Sequence, residues 1–136
     1  MSITYTNDIG NLRSQQLDGF FVGWPNHPSP SAHLEILQGS YAAWLAFNED
    51  CCVGFVNALS DGVFYSFIPL LEGLPEFQGQ GIGRELVRRM VSTLENMYAI
   101  DIVCDESLMP FYNFLGFNRC VGMVKRNFAN QSGRTQ

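Results

Sequence analysis

Basic side chains are scarce in this 136-residue sequence. Eight Lys and Arg stand against thirteen Asp and Glu, a formal net charge of −5. Without a basic stripe there is little to neutralise a phosphate backbone, so nucleic acid is not an expected partner. Long apolar runs are missing too. The longest, Tyr41 to Phe47, falls far short of the ~20 residues that span a bilayer, so no membrane role is expected. The first ten residues, MSITYTNDIG, lack the basic start and apolar run of a secretory signal, and the sequence reads as cytoplasmic. His27 and His33 are the only histidines. Neither they nor the four cysteines fall in a C-x-x-C or zinc-ligand spacing, so no metal site is expected. The cysteines read as reduced thiols, with Cys51, Cys52 and Cys104 as buried small hydrophobes.

What is present is a globular composition, with 46% hydrophobic and only 15% charged residues. That is enough for one core and one domain, expected over residues 1–128, with 129–136 as a flexible C-terminal tail. Alternating Ile3 and Tyr5 mark a strand over residues 1–6, and Asn7 or Asp8 is placed to cap a helix reaching about Phe21. A Pro-rich loop follows, then a second helix over Ala32 to Gln38 behind Ser29 or Ser31. Tyr41–Phe47, Cys51–Leu59 and Val63–Glu72 read as a three-stranded meander.

From Gly83 to Met97 the apolar residues Leu86, Val87, Met90, Val91, Leu94 and Met97 share one helical face. Ile100–Cys104 is a short β-branched run, which a crossover through that helix makes parallel to the preceding strand. A helix over Ser107–Leu115 and a last extended segment, Phe117–Phe128, complete an α/β (α+β) architecture in the order β-α-α-β-β-β-α-β-α-β. That last segment has few partners in so short a chain, and a homodimer is a further expectation. Pro69 lacks an N–H, so it demands an edge or a bulge in its strand.

The chemistry concentrates in Leu74-Pro75-Glu76-Phe77-Gln78-Gly79-Gln80-Gly81-Ile82-Gly83-Arg84. Three alternating glycines before a helix let successive N–H groups turn toward an anion at the positive end of the helix dipole. The same glycines also suit an ordinary strand-to-helix turn. Neither G-x-x-x-x-G-K-[ST] nor G-x-G-x-x-G is present, which argues against NTP hydrolysis and dinucleotide redox chemistry.

Gln78-Gly79-Gln80-Gly81-Ile82-Gly83 resembles the [QR]-x-x-G-x-[GA] signature of the GNAT superfamily of N-acetyltransferases, and Phe111-Tyr112-Asn113-Phe114-Leu115-Gly116-Phe117 resembles its F-Y-x-x-L-G-F element. Both occur in the family's order. The resemblance covers nearly all of residues 1–128 and implies a mixed sheet with a splayed cleft for acetyl-coenzyme A. It implies that Gln78, Gly79, Gln80, Gly81, Ile82, Gly83 and Arg84 hold the pyrophosphate, and that the backbone of Leu71 to Leu74, Gly73 included, pairs with pantetheine. Arg88 and Arg89 are weaker candidates than Arg84 for the ribose phosphate.

The implied reaction acetylates a primary amine of a small molecule by direct attack. A protonated amine has no lone pair, so a base must remove its proton, and the departing thiolate gains from a nearby acid. Tyr112 is the candidate acid, or else a core aromatic. Glu72 is the candidate base, or else a solvated strand-end carboxylate. Asp105 competes with it, standing where many family members carry Asn. Phe21 and Trp24, on the loop that overhangs the acceptor site in such folds, and Tyr65, in an aromatic-rich strand, are candidate contacts for an aromatic acceptor. A protein amine as acceptor and a non-catalytic acyl-CoA sensor are the alternative functions.

Overall fold

Strand-forming residues cluster in five places, and all five join one sheet. The computed structural model describes residues 2–134. Its strands lie side by side in chain order: β1 (Ile3–Thr6), β2 (Ala42–Asn48), β3 (Cys51–Ser60), β4 (Tyr65–Gly73) and β5 (Ala99–Ile102). The first four pair antiparallel. β5 runs parallel to β4, because α2 (Ile82–Thr93) carries the chain back across the sheet between them. The remaining helices are α1 (Pro30–Gln38) and α3 (Met109–Phe114).

β3 forms the centre of the core. Seven consecutive residues, Cys52 to Ala58, are buried, as expected for a strand covered on both faces. Gly54 faces α2 so closely that a β-carbon there would meet Ile82 at 3.0 Å and Leu86 at 3.2 Å. Phe55, next along, faces the other way into Phe20, Phe21 and His33. α2 covers the first face with Leu86, Val87, Met90 and Leu94, each at 0% exposure. The helix stops at Thr93, short of the Met97 expected from periodicity; Leu94 caps it and a turn from Leu94 to Met97 follows. The α1 start matches its signal, since Ser29 Oγ accepts the Ala32 N–H at 3.1 Å with Pro30 in the first turn.

Two expected elements do not form. The helix from Asn7 or Asp8 to Phe21 is replaced by irregular chain with one 3₁₀ turn, Ser14–Leu17. Side chains there satisfy the backbone instead: Asp8 Oδ1 accepts the Gly10 N–H at 3.0 Å and Gln16 Oε1 accepts the Arg13 N–H at 2.9 Å. Phe117–Phe128 pairs with no strand among the described residues; only a 3₁₀ turn at Phe128–Asn130 follows it, capped by Asn127. Of the cysteines expected to be buried, Cys52 is, Cys104 is half-buried and Cys51 is exposed. Its side chain alternates outward from Cys52, whose thiol burial pushes up to about 12. Met1 of the expected first strand and residues 135–136 of the expected tail lie outside the described residues.

Candidate active site

β5 pairs with only the first half of β4. They pair from Tyr65 with Ala99 to Ile68 with Ile102, and the ladder ends one residue before Pro69, which has no N–H to donate. The register of β4 against β3 shifts at the same place, so the expected bulge is present. Beyond it, Leu70 to Gly73 stay paired with β3 on one side and present a free edge on the other. The two strands therefore splay, with Leu70–Gly73 on one wall and Val103–Cys104 on the other.

The chain leaves this opening through a tight loop. Leu74 N–H donates to Val53 O at 2.8 Å, a 3₁₀ turn covers Pro75–Phe77, and Gln78 Nε2 donates back to Gly73 O at 3.2 Å. Gly79 and Gly81 then take φ values of +80° and +82°, which side-chain-bearing residues rarely adopt. A β-carbon at either would meet nothing within 4 Å, so the glycines meet a backbone requirement and leave open space beside the loop. Among the described residues, the N–H groups of Gly79, Gln80, Gly81, Ile82, Gly83 and Arg84 donate no hydrogen bond within the chain. Six unpaired donors thus sit together at the positive end of α2. The cations of this helix divide. Arg88 and Arg89 both close on Glu85 at 2.6 Å, holding its carboxyl at about 2. Arg84 makes no ion pair among the described residues and stacks its guanidinium 4.9 Å from the Phe114 ring centre.

Glu72 lies opposite Phe55, on the α1 side of the sheet. Its carboxylate accepts the Phe21 N–H at 2.8 and 3.0 Å and the Val22 N–H at 3.3 Å. Phe21 has a left-handed φ of 65°, costly for an aromatic residue, and these bonds hold it there. The Phe21 ring packs on Trp24, His33 and Phe55, at centroid distances of 5.0, 4.9 and 6.1 Å. Tyr112, 9% exposed, is wedged edge-on between Phe111 and Phe117 and makes no side-chain hydrogen bond among the described residues. Burial, with a smaller contribution from Cys104, pushes its phenol up to about 12. Asp105 is exposed where β5 gives way to the 3₁₀ turn Glu106–Leu108, and its side chain caps nothing.

Tyr65 is not brought to this site. It stands at the start of β4, roughly 23 Å of strand from Glu72, where its hydroxyl donates to Asp101 at 2.8 Å. Trp24 does border the opening, in a cavity of about 360 Å³ that it shares with Phe67, Pro69, Leu70, Val103, Val124 and Arg126. Val124 and Arg126 carry no motif or periodicity; only the path of the folded chain reveals them. A second cavity, also about 360 Å³, lies behind the loop over residues 17–24 and is bordered by His33.

The family model for Acetyltransferase (GNAT) matches residues 9–117, which contain the splay, the six amides and Tyr112. The chain belongs to the GNAT acetyltransferase family. A crystal structure of a Deinococcus radiodurans R1 protein assigned as an acetyltransferase is similar at 38% identity and a TM-score of 0.95, covering 98% of this chain and 94% of that one. Residues 118–134 make up an eighth of the chain, so a fit of that quality includes them. The uncharacterized N-acetyltransferase ycf52 of Gracilaria tenuistipitata var. liui is 31% identical over 101 residues, 71% of this chain, and the chain spans 56% of that relative's length. Serotonin N-acetyltransferase 2, chloroplastic, of Oryza sativa subsp. japonica is 28% identical over 102 residues, 71% of this chain and 50% of its own.

GNAT acetyltransferases use acetyl-CoA, and the residues present fit it. Its diphosphate needs convergent N–H donors more than it needs side-chain charge, and Gly79–Arg84 offer six, with open space beside Gly79 and Gly81. Arg84 is the uncommitted cation beside them. The free edge of Leu70–Gly73 suits the amides of a pantetheine arm, which hydrogen-bond as an added strand does.

Proposed function

We propose that this GNAT protein transfers the acetyl group of acetyl-CoA to a primary amine of a small molecule by direct attack. The observation that carries this reading is the set of six unpaired amides opening onto the β4–β5 splay. Bound there, acetyl-CoA supplies a thioester as acyl donor; the chain's residues bind, orient and manage the protons. Leu71, Gly73 and Leu74 bound its pantetheine, and the amides of Gly79–Arg84 its diphosphate; Gln78, expected among them, instead donates its N–H to Pro75 O at 3.3 Å and braces the loop.

Asp105 is the proposed base, because both its oxygens are free of caps and hydrogen bonds. Glu72 already accepts two N–H groups, that of Phe21 shared between both its oxygens, which suits it to orienting the Phe21–Trp24 loop; it is the second candidate base, acting through water. Tyr112 keeps its proton throughout the neutral range. A phenol near 12 is a weaker acid than a thiol by more than ~3 units, so full transfer to a thiolate is uphill. Its role is then to donate a hydrogen bond as negative charge grows on sulfur.

The cavity at Trp24, Phe67, Pro69 and Leu70 supports an acceptor with an aromatic or aliphatic body, and its concave shape favours a small molecule over a protein segment. Likeness to the rice serotonin N-acetyltransferase supports an arylalkylamine. Free thiols, including the exposed Cys51, support a reducing compartment such as the cytoplasm. The test is mass spectrometry of a panel of aryl, alkyl and peptidyl amines incubated with acetyl-CoA. Acetylated small amines are expected. CoA binding with no product from any amine would make the protein a sensor, and product on peptides alone would make it a protein acetyltransferase.

A further inference from the structure

One cation borders the acceptor cavity, and no carboxylate of the chain answers it. Arg126 shares that space of about 360 Å³ with apolar and aromatic residues, Trp24, Phe67 and Leu70 among them, and no Asp or Glu lines it. Among the described residues, the arginine ion pairs and side-chain hydrogen bonds belong to Arg13, Arg88 and Arg89; Arg126 makes neither. The carboxylates of the two flanking strands are engaged elsewhere. Asp101 accepts the Tyr65 hydroxyl at 2.8 Å, and Glu72 accepts the Phe21 and Val22 N–H groups.

The guanidinium is brought here by the fold. Just beyond it, Asn127 Oδ1 accepts the Ala129 N–H at 3.2 Å and starts a 3₁₀ turn, and Gln131 Oε1 accepts the Asn26 N–H at 3.0 Å. That last bond joins residues 105 apart in sequence and ties the end of the chain to the loop that carries Trp24. Cation and indole therefore hold their places around one cavity through a shared anchor. The fit to the Deinococcus radiodurans crystal structure includes this segment.

A guanidinium beside apolar walls attracts an anion more strongly than one on an open surface, because less water screens the pair. Its planar fork of N–H donors matches the two oxygens of a carboxylate. One cation balances one carboxylate, whereas a phosphate dianion would call for a second, and no other cation borders the cavity. The same positive charge disfavours an ammonium nearby and so favours the neutral amine that attack requires. We propose that Arg126 selects the acceptor: a small amine that also carries a carboxylate, an amino acid with an apolar side chain, its carboxylate on the guanidinium and its body against Trp24, Phe67 and Leu70. The amine's acetylation rests on the acyl-transfer reading; capture of the carboxylate does not.

Phenylalanine and phenethylamine differ only by that carboxylate, and their kinetics with acetyl-CoA test the selection. Phenylalanine should show the higher kcat/KM in the wild type, by at least ~30-fold. Arg126→Met keeps an apolar stem on an exposed position and should bring the two within about threefold, while Lys125→Met should keep the preference. 3-Phenylpropionate, with ring and carboxylate but no amine, reads binding alone: its calorimetric Kd should rise at least ~30-fold in Arg126→Met, with CoA affinity unchanged. Binding of 3-phenylpropionate through Arg126 with neither amine acetylated would sink the acyl-transfer reading and leave this subsite standing. Preference for phenethylamine, 3-phenylpropionate that binds both proteins equally or neither, or CoA affinity lost in Arg126→Met would each overturn the proposal.

Discussion

The two halves of β4 contrast sharply. From Tyr65 to Ile68 the strand pairs with β5, Ser66 and Phe67 pair with β3 as well, and its neighbours lock it: Tyr65 to Asp101, Ser66 Oγ to Ala99 O at 2.7 Å, and Phe64 stacked 4.9 Å over Tyr98. From Pro69 to Gly73 one edge is open, a carboxylate holds a strained loop, and the next turns leave six amides unpaired. A single residue without an N–H stands between them. On the proposed function the closed half serves stability and the open half the reaction, so substitutions should sort by which side of Pro69 they act on.

The largest expected effect is at the open end. Tyr112→Phe removes the hydroxyl proposed to donate to the growing thiolate charge and should lower kcat roughly 1,000-fold, within the range for such groups. CoA affinity, measured by calorimetry, should change less than about twofold. Lost affinity with unchanged kcat would make Tyr112 a packing residue.

Next comes acid sensitivity behind the same face. His33 is 1% exposed with both ring nitrogens unpartnered, and burial lowers it to about 4. In the unfolded chain it titrates near 6.5, so between those values the unfolded state binds the extra proton. Stability is complete above about pH 6.5 and falls as pH drops toward 4, by on the order of 3 kcal/mol. Urea midpoints at pH 7.5 and 4.5 should separate widely for wild type and much less for His33→Phe. Equal separations would show that His33 does not carry the acid response.

A smaller change is expected for Glu72→Gln, which keeps the shape but loses charge-assisted bonds to Phe21 and Val22. It should cost about 1–2 kcal/mol of stability and raise KM for the amine about tenfold, with CoA affinity unchanged. A bell-shaped rate profile that loses its acid limb in this variant, and keeps it in Asp105→Asn, would reverse the proposed roles of the two carboxylates. Tyr65→Phe should do least: under ~1 kcal/mol for an exposed hydrogen bond at the closed end, and no change in kcat/KM. An activity loss there would break the division at Pro69.

Much of this was legible in the sequence because its causes are local. Gly79 and Gly81 declare a left-handed turn, Pro69 declares a missing donor, and the apolar stripe of Leu86, Val87, Met90 and Leu94 declares one helix face. What sequence reading missed was decided by side chains competing with backbone or by distant contacts. Asp8 and Gln16 divert residues 7–21 from a helix. Glu72 looks like a free carboxylate until the loop fifty residues earlier folds onto it. Val124 and Arg126 have no local signature, and Tyr65 was grouped with the site by composition although β4 carries it to the opposite end.

Titration of coenzyme A into the ¹⁵N-labelled protein, followed by amide NMR with parallel calorimetry, probes the cradle directly. The amide signals of Gly79, Gln80, Gly81, Ile82, Gly83 and Arg84 should move together and saturate with the heat of binding. Absence of heat, or saturable shifts that bypass those six amides, would contradict the account.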